Sequence, residues 1–242
     1  MNDLVALPGQ VFGALLTPIP LLGGVATSWA EILGFVAGAG TVWLAARASI
    51  WNWPIGNVNS AFWLVLFLGN GLYADSVLQV VYLAMGFYGW WHWLRGGVAA
   101  TQRPIEHASR RELGLTGLAV LAGIAAWTAV LATFTNSTVP FADAATTVLS
   151  LAANWLLARK LIESWPVWIV GVNLPYIGLY LSKGLALTAS LQLVYIALSI
   201  GGWRTWRRIM AARGAAGRVG ATLEATPPAA ATASASVETG AA

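Results

Sequence analysis

Apolar residues run along this chain in long stretches separated by short polar or glycine-bearing segments, and the stretches are long enough for helices that cross a hydrocarbon core, which takes roughly 20 residues. From Ser28 onward the pattern predicts seven spanning helices, over residues 28–46, 54–70, 73–94, 113–134, 141–159, 166–182 and 185–206. Tight turns at Gly69-Asn70-Gly71 and Ser182-Lys183-Gly184 close the second and sixth, as antiparallel neighbours require. Residues 4–25 are apolar as well, but Pro8, Pro18 and Pro20 interrupt them, so 1–27 reads as an interfacial or re-entrant lead-in, or an extension ahead of the functional start. A signal peptide would need a basic n-region that this segment lacks. From Ala211 the chain is rich in Ala, Thr, Gly, Ser and Pro without apolar periodicity, which predicts a disordered tail over 209–242.

Part of this pattern is written twice. An offset of 113 carries Gly71-Leu72 onto Gly184-Leu185, Leu78-Gln79 onto Leu191-Gln192, Tyr82 onto Tyr195, Gly89-Trp90 onto Gly202-Trp203 and Trp93 onto Trp206. Upstream, Trp53-Pro54 meets Trp165-Pro166 at an offset of 112. Such a repeat signals duplicated architecture. Each copy holds three helices, over 28–94 and 141–208, with a loop and linker helix at 95–140 between them. The copies are displaced by an even number of spans, so they point the same way through a bilayer. The prediction is an all-α membrane protein of seven transmembrane helices in a 3+1+3 parallel-repeat arrangement.

Composition and charge agree with that class. The chain is 58% hydrophobic and 9% charged, against about a quarter charged in soluble domains. Arg47, Arg95, Arg103, Arg110, Arg111, Arg159, Lys160, Arg204, Arg207, Arg208, Arg213 and Arg218 fall at one set of alternating helix ends, leaving Lys183 alone at the other. That asymmetry predicts a multi-pass protein of the cell (inner) membrane with a cytoplasmic C-terminus. It also accounts for the net charge of +4 without a nucleic-acid partner. Cysteine is absent, and His92 and His107 lack metal-ligand spacing, so no thiolate or clustered metal site is predicted.

Polar side chains inside spans are costly unless they face protein or a water-filled path, so their positions carry information. On the third helix Gln79, Tyr82, Gly86, Trp90 and Trp93 share a stripe within about 80°. The seventh repeats it as Gln192, Tyr195, Ser199, Trp203 and Trp206. On the sixth, Trp165, Trp168, Asn173 and Tyr176 share a face, and Pro175 should kink or open the helix there. On the second, Trp53, Asn57 and Ser60 form one face while Asn59 and Trp63 turn to another. The bland alternatives are that Trp90, Trp93, Trp203 and Trp206 anchor at the headgroup level and that the Gln and Tyr pairs bond helix to helix. No Walker A motif, no Asp or Glu near a span centre and no lysine in the last helix are present. Those absences argue against ATP coupling, a proton or sodium relay and a retinal Schiff base, and for passive passage without a cofactor.

WPIGNVNSAFWLVLF and GLYADSVLQVVYLAMGFYGWWHW, with WPVWIVGVNLPYIGLYLSKGLALTASLQLVYIALSIGGWRTWRR, resemble the PnuC-type vitamin transporters over about residues 30–208. The resemblance implies a SWEET-like fold and facilitated uptake of a vitamin precursor, most typically nicotinamide riboside. It implies trapping of the substrate through phosphorylation by a separate cytoplasmic kinase, and homotrimers. The family's binding motifs fall on Trp165 and Trp168, on Asn173 with Tyr176, and on the Gln79 and Tyr82 stripe. With their counterparts the substrate-binding candidates are Trp53, Asn57, Gln79, Tyr82, Trp165, Trp168, Asn173, Tyr176, Gln192 and Tyr195. Aromatic faces suit a pyridinium ring, and amides and phenols suit a ribose and a carboxamide. Riboflavin or thiamine facilitators share the frame and stand as alternatives, as does a non-transporting membrane scaffold. An enzyme would need a nucleophile beside a base, and none is in view.

Overall fold

The structure, a computed structural model, describes residues 13, 17–20, 26–69, 73–96, 102–135, 138–182 and 186–225. All seven expected helices are present: α1 Trp29–Ala46, α2 Asn52–Gly69, α3 Tyr73–Arg95, α4 Arg110–Phe134, α5 Pro140–Ala158, α6 and α7 Ala186–Ala225. α6 comes in three pieces, a first turn Ser164–Pro166, a π-helical stretch Val167–Asn173 and an α-helix Leu174–Ser182. The opening expected near Pro175 therefore takes the form of a wide turn, in which the Leu174 N–H reaches back to the Ile169 carbonyl. Proline has no N–H to continue the ordinary ladder, and its ring disfavours the preceding tight turn.

At the N-terminal end most of the lead-in lies outside the described residues, and what is described is a short antiparallel ladder, β1 Pro18–Pro20 against β2 Ala26–Ser28 with Ile19 opposite Thr27, ahead of the helices. At the other end α7 runs on to Ala225, so the segment from Ala211 that was expected to be disordered is helical that far. Alanine has the highest helix propensity, and the run MAARGAAGRVGATLEA continues a helix already nucleated upstream. Residues from 226 on lie outside the described residues.

α4 packs against α5 at the edge of the bundle and buries none of its own residues. Its start is fixed by a capping box, Ser109 accepting from the Glu112 N–H while Glu112 accepts from the Ser109 N–H. Among the described residues α4 and α5 are long and apolar enough to cross a bilayer on composition alone, α4 with a mean hydropathy of 2.0. Other helices carry polar side chains, Asn57, Ser76, Asn173 and Ser199 among them, that are buried inside the bundle.

The core sits at the arginine-rich end, where the ends of α1, α3 and α5 and the starts of α2 and α6 meet Trp206 of α7. Trp93 and Trp206 are 1% and 0% exposed there, so neither is a headgroup anchor. Trp53 stands edge-on to Trp93 at 5.5 Å and 88°, and Trp165 stands edge-on to Trp206 at 5.4 Å and 90°. Trp93 and Trp206 meet between the two pairs at 5.9 Å. The indole N–H of Trp93 donates to the Leu157 carbonyl at 3.1 Å, and that of Trp206 donates to the Ala45 carbonyl at 2.9 Å. Leu157 is the counterpart of Ala45 at the 112 offset, so each copy's tryptophan bonds the other copy's backbone at the same place. The rings gain more from each other and from helix-end carbonyls than an interfacial position offers. Trp90 and Trp203, both 36% exposed, keep the outward position expected of anchors.

The corners repeat too. α1 and α5 each end in a Schellman turn, with Ser49 N–H to Leu44 O and Ala48 N–H to Ala45 O in the first, and Leu161 N–H to Leu156 O and Lys160 N–H to Leu157 O in the second. The left-handed residue, normally glycine, is Ala48 at φ 52° and Lys160 at φ 60°.

Candidate functional site

Above the tryptophan cluster the copies enclose a cavity of about 400 Å³. Every binding candidate except Gln79 lines it: Trp53 and Asn57 from α2, Tyr82 from α3, Trp165, Trp168, Asn173 and Tyr176 from α6, and Gln192 and Tyr195 from α7. Gln79 is half-buried on α3 and does not line the cavity, although its counterpart Gln192 does. The duplication is therefore unequal at this position.

The floor is built by glycines that admit large side chains. A Cβ on Gly89 would lie 2.5 Å from the Trp53 ring, and one on Gly202 would lie 2.5 Å from the Trp165 ring. Gly86 likewise leaves room for the Asn57 carboxamide, and Gly38 for the Tyr195 hydroxyl, 2.7 Å from where a Cβ would stand. Tyr195 is steadied edge-on by Phe35 at 5.6 Å. The wall opposite comes from α5, where the Ser150 hydroxyl donates to the Thr146 carbonyl at 2.7 Å and stands near the phenols of Tyr82 and Tyr176. Tyr176 stacks on Tyr180 at 5.3 Å, extending the aromatic wall towards the far end of α6. The π-helical stretch widens α6 where Trp168, Val172 and Asn173 face the cavity. Such widened turns recur at functional sites because they re-aim side chains within a helix.

Three buried donors at the cavity are unpaired among the described residues: the indole N–H groups of Trp53 and Trp165 and the amide nitrogen of Asn57 have no hydrogen-bond partner there. An unsatisfied buried donor costs about 1–3 kcal/mol, so water or a ligand acceptor would be held there favourably. Among the described residues, none that lines the cavity is charged. The site therefore offers aromatic faces, amides and hydroxyls to a solute that brings its own acceptors and needs no counter-charge.

Several lining residues were missed from sequence. Asn59 does face the cavity together with Asn57 and Ser60, contrary to the two-face assignment of α2. Only Trp63 turns away, packing over Gly34 of α1. Thr41, Ser150, Asn154 and Tyr180 also line it. Ser150 and Asn154 stand four residues apart in an apolar span, one face of α5, and that spacing was the available signal.

A family model described as nicotinamide mononucleotide transporter matches residues 28–208. The riboflavin/roseoflavin transporter RibM of Streptomyces davaonensis is 28% identical over 181 residues, 74% of this chain and 84% of its own. The nicotinamide riboside transporter PnuC of Escherichia coli is 28% identical over 221 residues, 79% of this chain and 91% of its own. A crystal structure of the vitamin B3 transporter PnuC has a similar fold, with a TM-score of 0.58 at 24% identity, over 75% of this chain and 81% of that one. With its cavity enclosed between two matched sets of helices and a family model spanning both, the chain belongs to the PnuC-type, nicotinamide mononucleotide transporter family and is a membrane transporter, not an enzyme.

Proposed function

We propose that the protein is a facilitator for nicotinamide riboside, binding it in the cavity between the two copies with Trp53, Asn57, Tyr82, Trp165, Trp168, Asn173, Tyr176, Gln192 and Tyr195. The observation that carries this is a cavity of about 400 Å³ lined by indoles, phenols and amides, with no charged group among the described residues. A pyridinium ring takes roughly 0.5–2 kcal/mol from a tryptophan face. The ribose hydroxyls and the carboxamide oxygen supply acceptors for the unpaired donors of Trp53, Trp165 and Asn57. Gln79 drops out as a direct contact. The architecture proposed with this function is the SWEET-like 3+1+3 arrangement, supported by the reciprocal indole bonds. The arginine-rich end and the C-terminus are then cytoplasmic. A cytoplasmic kinase would trap the delivered vitamin by phosphorylation, and the uncovered apolar faces of α4 would serve a homotrimer.

The second substrate is riboflavin, favoured by the likeness to RibM, which equals that to PnuC in identity. The two differ in charge, and that decides the test. Nicotinamide riboside is a cation, so in proteoliposomes an inside-negative potential of 100 mV should drive its accumulation about 50-fold, since one charge across 100 mV is worth about 2.3 kcal/mol. Riboflavin uptake should ignore the potential. Absence of uptake above empty vesicles for nicotinamide riboside, riboflavin and thiamine alike would end the proposal in favour of a scaffold.

A further inference from the structure

The arginine-rich end is symmetric in its tryptophan core but not in its cover. Residues 102–109, between α3 and α4, fold back as a strap over the α5–α6 corner. The Arg103 N–H donates to the Trp93 carbonyl at 3.2 Å, while its guanidinium reaches the Arg159 carbonyl at 3.1 Å and Glu106 at 2.8 Å. Glu106 then pairs with the corner backbone in both directions, its N–H to Lys160 O at 3.2 Å and its carbonyl from Ile162 N–H at 3.1 Å. Glu163 closes the strap by accepting from the Ala108 N–H and meeting His107, each at 2.9 Å. Ile105 plugs into the tryptophan cluster.

The matching α1–α2 corner, 47–51, has no such cover among the described residues. The comparison is direct because Ile50 and Ile162 correspond at the 112 offset. Ile162 is 3% exposed under the strap, whereas Ile50 is only partly buried against the same cluster. The hydrogen bond that crosses between copies at the α1–α2 corner is Trp206 to Ala45 O.

We propose that the strap is a latch that pins the α5–α6 corner to α3, so that the arginine-rich gate opens by movement of the uncovered α1–α2 corner, with Arg103 as the positioning residue. This rests on the transport function in requiring a gate at all. A rigid second half and a mobile first half would let the cavity open without unpacking the whole cluster. Symmetric opening would instead break the strap contacts in every cycle.

The chain has no cysteine, so single substitutions at the corresponding buried positions report each corner. Ala45→Cys and Leu157→Cys are to be labelled with a membrane-impermeant maleimide from the arginine-rich side of sided vesicles, with and without nicotinamide riboside. Ala45→Cys should react about tenfold faster or more, the ratio a single charge-assisted hydrogen bond supplies. Adding Arg103→Ala should bring the ratio towards one by speeding Leu157→Cys. Equal rates with the latch intact, a faster Leu157→Cys, or a ratio indifferent to Arg103→Ala would each overturn the proposal. If Arg103→Ala does not yield folded protein by size-exclusion chromatography, Arg103→Gln carries the same test. An asymmetry that persists in a protein importing none of the vitamins would leave the latch standing and remove the transport assignment alone.

Discussion

Gly201 and Gly202 are adjacent in α7, and the structure assigns opposite consequences to the same substitution at each. A Cβ on Gly201 meets nothing within 4 Å, whereas one on Gly202 would lie 2.5 Å from the Trp165 ring. Gly201→Ala should therefore collect only the helix-propensity gain, about 1 kcal/mol. Gly202→Ala collects the same gain but forces Trp165 to move, and overpacking of this kind costs about 1–3 kcal/mol. Trp165 is 1% exposed and already packed on Trp206 at 5.4 Å, so it has no free volume on its far side. The open direction is the cavity. The two variants should differ by roughly 2–12 °C in thermal midpoint, at about 2–4 °C per kcal/mol for a chain of this size. Gly202→Ala should also raise the half-saturation concentration for uptake, because the displaced indole occupies substrate volume, while Gly201→Ala leaves it unchanged. Thermal unfolding in detergent and proteoliposome uptake measure both. Coincident midpoints and equal uptake for the pair would refute the packed-floor argument.

Trp168→Ala and Asn173→Ala should abolish uptake while the protein still elutes as a folded species, because neither contributes to the tryptophan cluster; loss of folded protein would reassign them to structure. Trp93→Phe keeps an aromatic ring but removes the pyrrole half of a buried indole together with its 3.1 Å bond to Leu157 O, which should lower stability by about 2–4 kcal/mol and raise leak of the substrate through the arginine-rich end, read as efflux from loaded vesicles. Lys160 is buried over the Trp93 ring at 4.5 Å, and burial, with Arg213 nearby, pulls its ammonium down to about 8 from 10.5. The folded protein then sheds this proton before the unfolded chain does, so stability should rise as pH climbs from about 8 towards 10.5. Thermal midpoints across that range should climb in the parent relative to Lys160→Met, and parallel curves would count against the burial argument.

The helices were legible because spans in lipid must satisfy their backbone internally, so long apolar runs translate almost directly into elements. The repeat gave the cavity as well, since pairing Tyr82 with Tyr195 and Trp53 with Trp165 brought together residues that do line one space. What misled was local context. Trp93 and Trp206 stand near arginines at helix ends, which in a single span means an interface; only contact between the copies turns those same positions inward. Gln79 shares a stripe with Tyr82, but the long side chain of a half-buried residue answers to its immediate neighbours rather than to the stripe. The polar face of α5 was passed over because Ser150 and Asn154 have no obvious counterpart in the repeated frame. The alanine-rich tail was misjudged because composition alone cannot say whether a segment continues a helix already begun.

The crossed bonds from Trp93 to Leu157 and from Trp206 to Ala45 have the form of a self-complementary dimer interface, in which one contact is made once in each direction. Two free-standing three-helix chains of identical sequence could meet through that contact without a linker. In the fused chain the two halves are no longer obliged to match, and one is free to hold still while the other acquires motion. The differing cover over Ile50 and Ile162 is a trace of that released constraint.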